Sequence, residues 1–180
     1  MGRRPTIDCD QILDAAERVV IREGAAQLTI DAVAAEAGVS KGGVLYSFAS
    51  KDALIDALYR RILASFDAIA DRVIAELGDS PESRIRGHVL ANLENAESVT
   101  ERLIGVIVNF MRSPEYRAEA NVYYRDLLGK LDTTTPSGKK LRLALLAAEG
   151  AFLLRGFDFY PVSAAEWREI HEDIMNLLLP

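Results

Sequence analysis

Apolar positions along the chain recur mostly at spacings of three and four, the period of an α-helix, and no stretch alternates at the period of a strand. Between Asp8 and Glu23, Ile12, Leu13, Ala16, Val19 and Val20 fall on one face, with Asp8 and Asp10 suited to the helix start and Gly24 to its stop. A short helix is predicted over Ile30–Ala37 with Thr29 as its N-cap, then a Gly38-Val39 turn, then a second short helix capped by Ser40 and running to Phe48. Ser50 caps a long helix from Lys51 to about Leu77, on which Leu54, Leu58, Ile62, Phe66, Ile69 and Val73 make one stripe. Gly78-Asp79-Ser80-Pro81 ends it and starts the next. Further helices are expected over 81–96, 99–112, 115–131, 137–157 and from about Ser163 to Leu179, with 133–138 as the clearest loop and Pro161 marking another break. Leu103–Val108 has the propensity of a strand, but nothing else offers it a strand partner, so it is expected as buried helix.

The chain has 180 residues, 49% of them hydrophobic and 27% charged, an ordinary globular composition with enough length for a real core. No apolar run approaches the roughly 18 residues that span a bilayer, so no membrane partner is expected. No apolar stretch follows Arg3 and Arg4, so a secretory signal is not expected either. The single cysteine, Cys9, excludes an internal disulfide and a cysteine-based zinc site, and a reducing cytoplasm fits best.

Formal net charge is −6, from 21 basic and 27 acidic side chains, which taken whole argues against nucleic acid. The average hides a local exception: Gly38–Lys51 carries two lysines and no acid. A DNA footprint needs only such a local positive face.

That face coincides with the most informative segment. In Ile30–Phe48 two short helices flank a Gly38-Val39-Ser40 turn, small Ala34 stands where the helices would cross, and Val33, Ala37, Val39 and Val44 supply a miniature core. This is the layout of a helix-turn-helix, whose second helix enters the major groove. Gly42 and Gly43 leave the start of that helix bare, so its backbone can approach bases closely; otherwise they only weaken it, by roughly 1 kcal/mol each relative to alanine.

Residues 8–59 resemble the DNA-binding domain of TetR-family transcriptional regulators. The resemblance rests on Ile12–Ala16, Gly24, Leu28-Thr29, Ala34–Gly42, Tyr46, Phe48 and Ser50–Leu54. It implies an all-α fold, in which an N-terminal three-helix helix-turn-helix domain (1–50) is joined by the long helix to a C-terminal helical ligand-binding and dimerisation bundle (51–180). It implies a phosphate contact from Thr29, base or phosphate contacts from Ser40, Lys41, Gly42 and Gly43, a backbone contact from Tyr46, a phosphate contact from Lys51, and arm contacts from Arg3 and Arg4. Many members have tyrosine where this chain has Leu45 and histidine where it has Ser47. Leu45 can touch a thymine methyl but cannot hydrogen-bond, and Ser47 is never cationic, which shifts part of the expected specificity onto DNA shape.

The remainder mixes dense apolar faces with polar residues set inside them. Asn109 interrupts one apolar run and Glu149 another, while His88, Asn92, Tyr123 and Tyr124 lie on neighbouring predicted helices. With Phe66, Val106, Phe110 and Phe152 they make a candidate small-molecule site, since such sites are apolar cavities with a few convergent polar groups. A buried Glu149 needs a partner: a cationic ligand, water, Arg155 or His88. The stretch Leu146–Phe152 is similar to the multidrug-sensing branch of the family, which favours a lipophilic effector, cationic ones included. A homodimer interface is expected from Leu141, Ala144, Leu145 and Ala148 on the 137–157 helix and from Trp167, Ile170, Ile174, Leu177 and Leu178 on the last helix. Two recognition helices roughly 34–36 Å apart would then read a pseudo-palindromic double-stranded operator.

An enzyme is not expected. There is no glycine-rich phosphate loop, no metal-ligand spacing, and the two histidines, His88 and His171, form no catalytic cluster; no cofactor or metal is called for. Cys9, between two aspartates, is a poor nucleophile. The expectation is therefore a cytoplasmic, dimeric, ligand-responsive repressor, and the alternative is a helical small-molecule binding protein that no longer binds DNA.

Overall fold

The computed structural model describes residues 8–24, 27–94 and 114–179. Among them every regular element is helical: α1 (Cys9–Glu23), α2 (Ile30–Ala37), α3 (Lys41–Ser47), α4 (Lys51–Leu77), α5 (Pro81–Glu94), α6 (Pro114–Gly129), α7 (Pro136–Gly156) and α8 (Ala164–Asp173). A π-helical turn, Ile174–Leu178, continues α8, where an α-helix was expected through to Leu179. The expected 99–112 helix and the Leu103–Val108 run lie outside the described residues. Among the described residues no helix is long and apolar enough to cross a membrane.

The chain divides into two compact units between Ile62 and Leu63, within α4, rather than at the 50/51 boundary expected from the sequence. The first turns of α4 belong with α1–α3 because Leu54, Ile55 and Leu58 are buried there.

The first unit is built on caps and a small core. Asp8 accepts the Asp10 amide at 3.0 Å to start α1, and Ser50 accepts the Ala53 amide at 3.0 Å to start α4. Ile12, Val19, Val20, Leu28, Val33, Val44, Leu54 and Leu58 are fully buried, each stabilising the unit by about 1.5–3 kcal/mol. Gln11 on α1 donates to the Ala37 carbonyl at 3.1 Å, and Glu36 on α2 accepts Arg18 at 2.8 Å and Arg22 at 2.7 Å. These two guanidiniums hold the Glu36 carboxyl below the usual carboxylate range.

The second unit packs Ile85 and Val89 of α5, Leu127 of α6, Leu141, Ala144, Leu145 and Ala148 of α7, and Ile174 and Leu179 into one cluster. Ala151, Val162 and Trp167 form a smaller one. Two glycines set its close approaches. A Cβ on Gly87 would stand 2.8 Å from the Ala70 Cα, so α5 crosses the second half of α4 at backbone contact. A Cβ on Gly138 would stand 2.0 Å from the Asp132 carbonyl oxygen, which fixes the loop that Thr135 caps onto α7. Ser80 and Ser83 exchange hydrogen bonds at the start of α5, a reciprocal cap made with serine in place of the usual acid.

The expected dimer residues fall differently. Leu141, Ala144, Leu145 and Ala148 face this subunit's own core, so they are closed to a second copy. Trp167 and Ile174 are buried too, and Ile170 and Leu178 pack against the same clusters. Of the expected set only Leu177 stands exposed. The apolar positions that α7 leaves open are Leu143, Leu146, Leu153 and Leu154, on the opposite face. The helix is apolar on both faces, so its sequence carries no phase telling inside from outside.

Candidate functional site

Local rules hold α2 and α3 at a fixed angle. Thr29 Oγ1 accepts the Ala32 amide at 3.1 Å and starts α2. Gly38 ends it in the left-handed region at φ 68°, ψ 26°. The Gly38 amide reaches the Ala35 carbonyl at 3.3 Å and the Val39 amide reaches the Ala34 carbonyl at 3.0 Å, the paired bonds of a Schellman stop. One residue on, Ser40 Oγ accepts the Gly43 amide at 3.0 Å and opens α3. Val33, Ala34, Ala37 and Val44 are buried behind the turn, with Val39 half-buried beside them.

This packing turns one face of α3 outward. Tyr46 is 88% exposed and Leu45 is 39% exposed, both large apolar rings or chains left in water on a seven-residue helix. Thr29, Ser40, Lys41, Gly42 and Lys51 are exposed as well, and Ser47 is half-buried. Gly43 departs from the expectation: it is buried, because its amide is turned to the Ser40 cap and the helix packs on that side, so only Gly42 lies bare. Arg3 and Arg4 lie outside the described residues. Lys41 Nζ sits 2.9 Å from Asp31 Oδ2 on α2, a partner that the sequence reading did not single out. An exposed ion pair leaves no periodic trace; the available signal was an acid in the first turn of the neighbouring helix.

A second constellation, in the second unit, centres on buried His88 and runs outward to Tyr123, which is 40% exposed. His88 is 6% exposed and holds three polar groups: Tyr123 Oη at 2.7 Å from Nδ1, and Glu149 Oε1 at 2.7 Å and Asn92 Nδ2 at 3.1 Å from Nε2. Burial first, and then the charges of Glu149 and Asp67, push the Tyr123 phenol well above its ordinary value, so it stays protonated. The tautomer assigned from this network has the phenol donating to Nδ1 and Nε2–H donating to Glu149. An Nε2–H facing the Asn92 amide nitrogen would oppose two donors, so the Asn92 amide is better turned to present its oxygen.

Of the expected ligand residues, the structure thus brings together His88, Asn92, Tyr123 and Glu149. Tyr124 stands edge-on to Tyr123 at 5.3 Å and packs on the larger core cluster. Phe152 belongs to the smaller cluster instead, and Phe66 is half-buried on α4. Val106, Asn109 and Phe110 lie outside the described residues. Glu149 takes His88 as its partner rather than Arg155, whose guanidinium lies 4.8 Å above the Trp167 ring. Cys9 is exposed, and no group of three or more metal-ligating side chains occurs among the described residues.

Comparison with known proteins bears on both constellations. A sequence model of bacterial regulatory proteins of the tetR family matches residues 12–58, and a model of the Tetracyclin repressor-like C-terminal domain matches residues 82–179. The HTH-type transcriptional regulator BetI of Burkholderia thailandensis is 30% identical over 124 residues, which are 67% of this chain and 64% of that protein. BetI of Stenotrophomonas maltophilia is 31% identical over 88 residues, 49% of this chain and 45% of that protein. The chain therefore spans less than two thirds of the length of these curated relatives. Among solved structures, a transcriptional regulator from Rhodococcus superposes with a TM-score of 0.66 at 19% identity over 96% of both chains. The multidrug binding protein EbrR complexed with ethidium superposes with a TM-score of 0.57 at 25% identity, covering 96% of this chain and 99% of that one.

Proposed function

Because the chain belongs to the TetR family of bacterial regulatory proteins, we propose that it is a dimeric, ligand-responsive repressor that binds a pseudo-palindromic DNA operator and is released from it by a lipophilic small molecule. The observation that carries the reading is the outward face of α3. Tyr46, Leu45, Gly42 and Lys41 stand exposed on a helix fixed from behind by a Schellman stop, a serine cap and a buried valine. A short glycine-bearing helix with its aromatic ring in water is a poor element for stability alone. It is a good one for a groove, where Lys41 and Tyr46 meet phosphates or base edges and Leu45 meets a thymine methyl.

The His88–Glu149 network supports the effector half of the proposal. It sets a partly buried carboxylate and a phenol on a buried imidazole, and EbrR, similar in fold, is known with the aromatic cation ethidium bound. An effector acts only to the extent that it prefers the conformation that does not bind DNA. The route runs along α4, the helix that contributes to both units. For the homodimer the proposal now takes the open stripe Leu143, Leu146, Leu153 and Leu154 of α7 together with Leu177, in place of the buried set. The BetI relatives are named as transcriptional regulators, and the reading makes this chain a regulator rather than an enzyme, working in the cytoplasm where its DNA is.

Selection from a random duplex pool tests the proposal. Enrichment of an inverted repeat supports a dimeric, sequence-specific binder, and the recovered duplex then serves to find effectors by release. Absence of enrichment at low salt would leave a helical small-molecule binding protein without DNA affinity.

A further inference from the structure

Asp31 and Lys41 join the two short helices across the face read above as the DNA surface. Lys41 is the first residue of α3, and Asp31 is the second of α2, two positions after the Thr29 cap. Their side chains meet at 2.9 Å with 58% of Lys41 and 69% of Asp31 exposed. A pair so exposed does little for the fold. The other acid of α2, Glu36, is committed to Arg18 and Arg22 of α1. Asp31 is thus the carboxylate that α2 presents to a cation of the recognition helix. A carboxylate in that place opposes the approach of phosphates.

We propose that Asp31 is a specificity-determining residue of the DNA interface: it holds Lys41 off the phosphates, so that the ammonium, while keeping its carboxylate, bonds only a matching base-edge acceptor. The inference rests on the DNA-binding reading of α3. A free lysine ammonium pairs with any phosphate and adds affinity that is blind to sequence. Held by Asp31, Lys41 brings no net charge to random DNA. That loss falls on sequences that offer the held ammonium no base-edge acceptor. A site that offers one, such as guanine O6 or N7, recovers the contact, because an ammonium has three donors and bonds the base without leaving Asp31. The device withholds affinity from wrong partners rather than adding it to the right one. Thr29 sits at the same helix end; its oxygen already accepts the Ala32 amide, so its hydrogen remains for a phosphate.

The test uses the full chain, the duplex recovered by selection and a random-sequence duplex of equal length, with affinities read by fluorescence anisotropy from about 50 to 200 mM salt. The proteins are wild type, Asp31→Asn, Lys41→Ala, the double variant, and Glu76→Gln, an exposed acid on α4 that controls for bulk charge. Asp31→Asn is expected to tighten random-duplex binding by roughly 3- to 10-fold and to steepen its salt slope by about 0.9, with a smaller change on the selected duplex, so that discrimination falls. In the Lys41→Ala background the same substitution is expected to tighten both duplexes alike, through relief of the carboxylate's own repulsion, and to leave discrimination unchanged. The proposal is overturned if Asp31→Asn leaves random-duplex affinity and slope at wild-type values, if it tightens both duplexes equally, or if its effect on discrimination survives without Lys41. Wild-type protein that binds neither duplex would instead overturn the DNA-binding reading, and the wild-type curves report that separately.

Discussion

His88 Nε2 lies 2.7 Å from Glu149 Oε1, joining α5 to α7 through the interior of the second unit. The contact answers a question posed by the sequence alone, since a glutamate within an apolar helix must find a partner. Its ring keeps a second partner, Tyr123, on the other nitrogen.

Glu149→Leu should therefore destabilise by about 1–3 kcal/mol, because it removes the nearer acceptor of a buried imidazole's Nε2 proton and leaves only Asn92 at 3.1 Å. Glu149→Gln keeps an acceptor there and should cost well under half as much. Urea denaturation of the two variants beside wild type reads the difference. Equal losses would mean that the carboxylate's charge, not its hydrogen bond, holds the site.

The two glycines at close approaches give an internally controlled pair. Gly138→Ala drives a methyl into the Asp132 carbonyl and should cost about 1–3 kcal/mol or more. Gly129→Ala, at the end of α6, meets nothing within 4 Å and should leave stability unchanged or slightly raised. Thermal midpoints of both variants check this.

Stability should also fall in acid through His171. The ring is fully buried against Trp167, its Nδ1 bonded to the Trp167 carbonyl at 2.8 Å, and burial pushes its pKa below the ordinary 6.5. The unfolded chain therefore takes up a proton that the folded one refuses. The contribution is whole above about pH 6.5 and is lost as pH falls toward and through the lower folded value. Thermal midpoints at pH 7.5 and 5.5 should converge in His171→Gln, which keeps a donor for the carbonyl. An unchanged gap would assign the acid sensitivity to other groups.

How far the sequence could be read depended on whether the deciding signal was local. The α1–α3 unit was legible because caps, a left-handed glycine and one-sided apolar periodicity act over a few residues, as at Thr29, Gly38 and Ser40. His88 and Glu149 were legible as partners by chemistry, since a buried carboxylate leaves few options. The inward and outward faces of α7 were not, because Leu141 and Leu143 look alike in a helix apolar all round. Gly43 was misplaced for a related reason: a glycine marks close approach without saying whether to DNA or to its own domain. The Asp31–Lys41 pair left only an acid in the first turn of α2, because an exposed ion pair looks in sequence like two solvated charges.

The exposed side of α7 makes its own prediction. Leu146→Glu should convert a dimer to a folded monomer by light scattering, with helicity retained, since Leu146 is 54% exposed in the single subunit. Ala144→Glu, at a fully buried position, should instead unfold the second unit. A dimer that survives Leu146→Glu would move the interface elsewhere.

The central claim, that the outward face of α3 reads DNA, is met most directly by a Lys41→Ala/Tyr46→Ala variant titrated against the duplex recovered by selection. Both side chains are exposed, and the substitutions leave the Ser40 cap and buried Val44 in place. The account predicts a folded protein, with wild-type circular dichroism and thermal midpoint, whose affinity for that duplex falls at least about 10-fold. A variant that folds and binds the duplex as wild type does would contradict it.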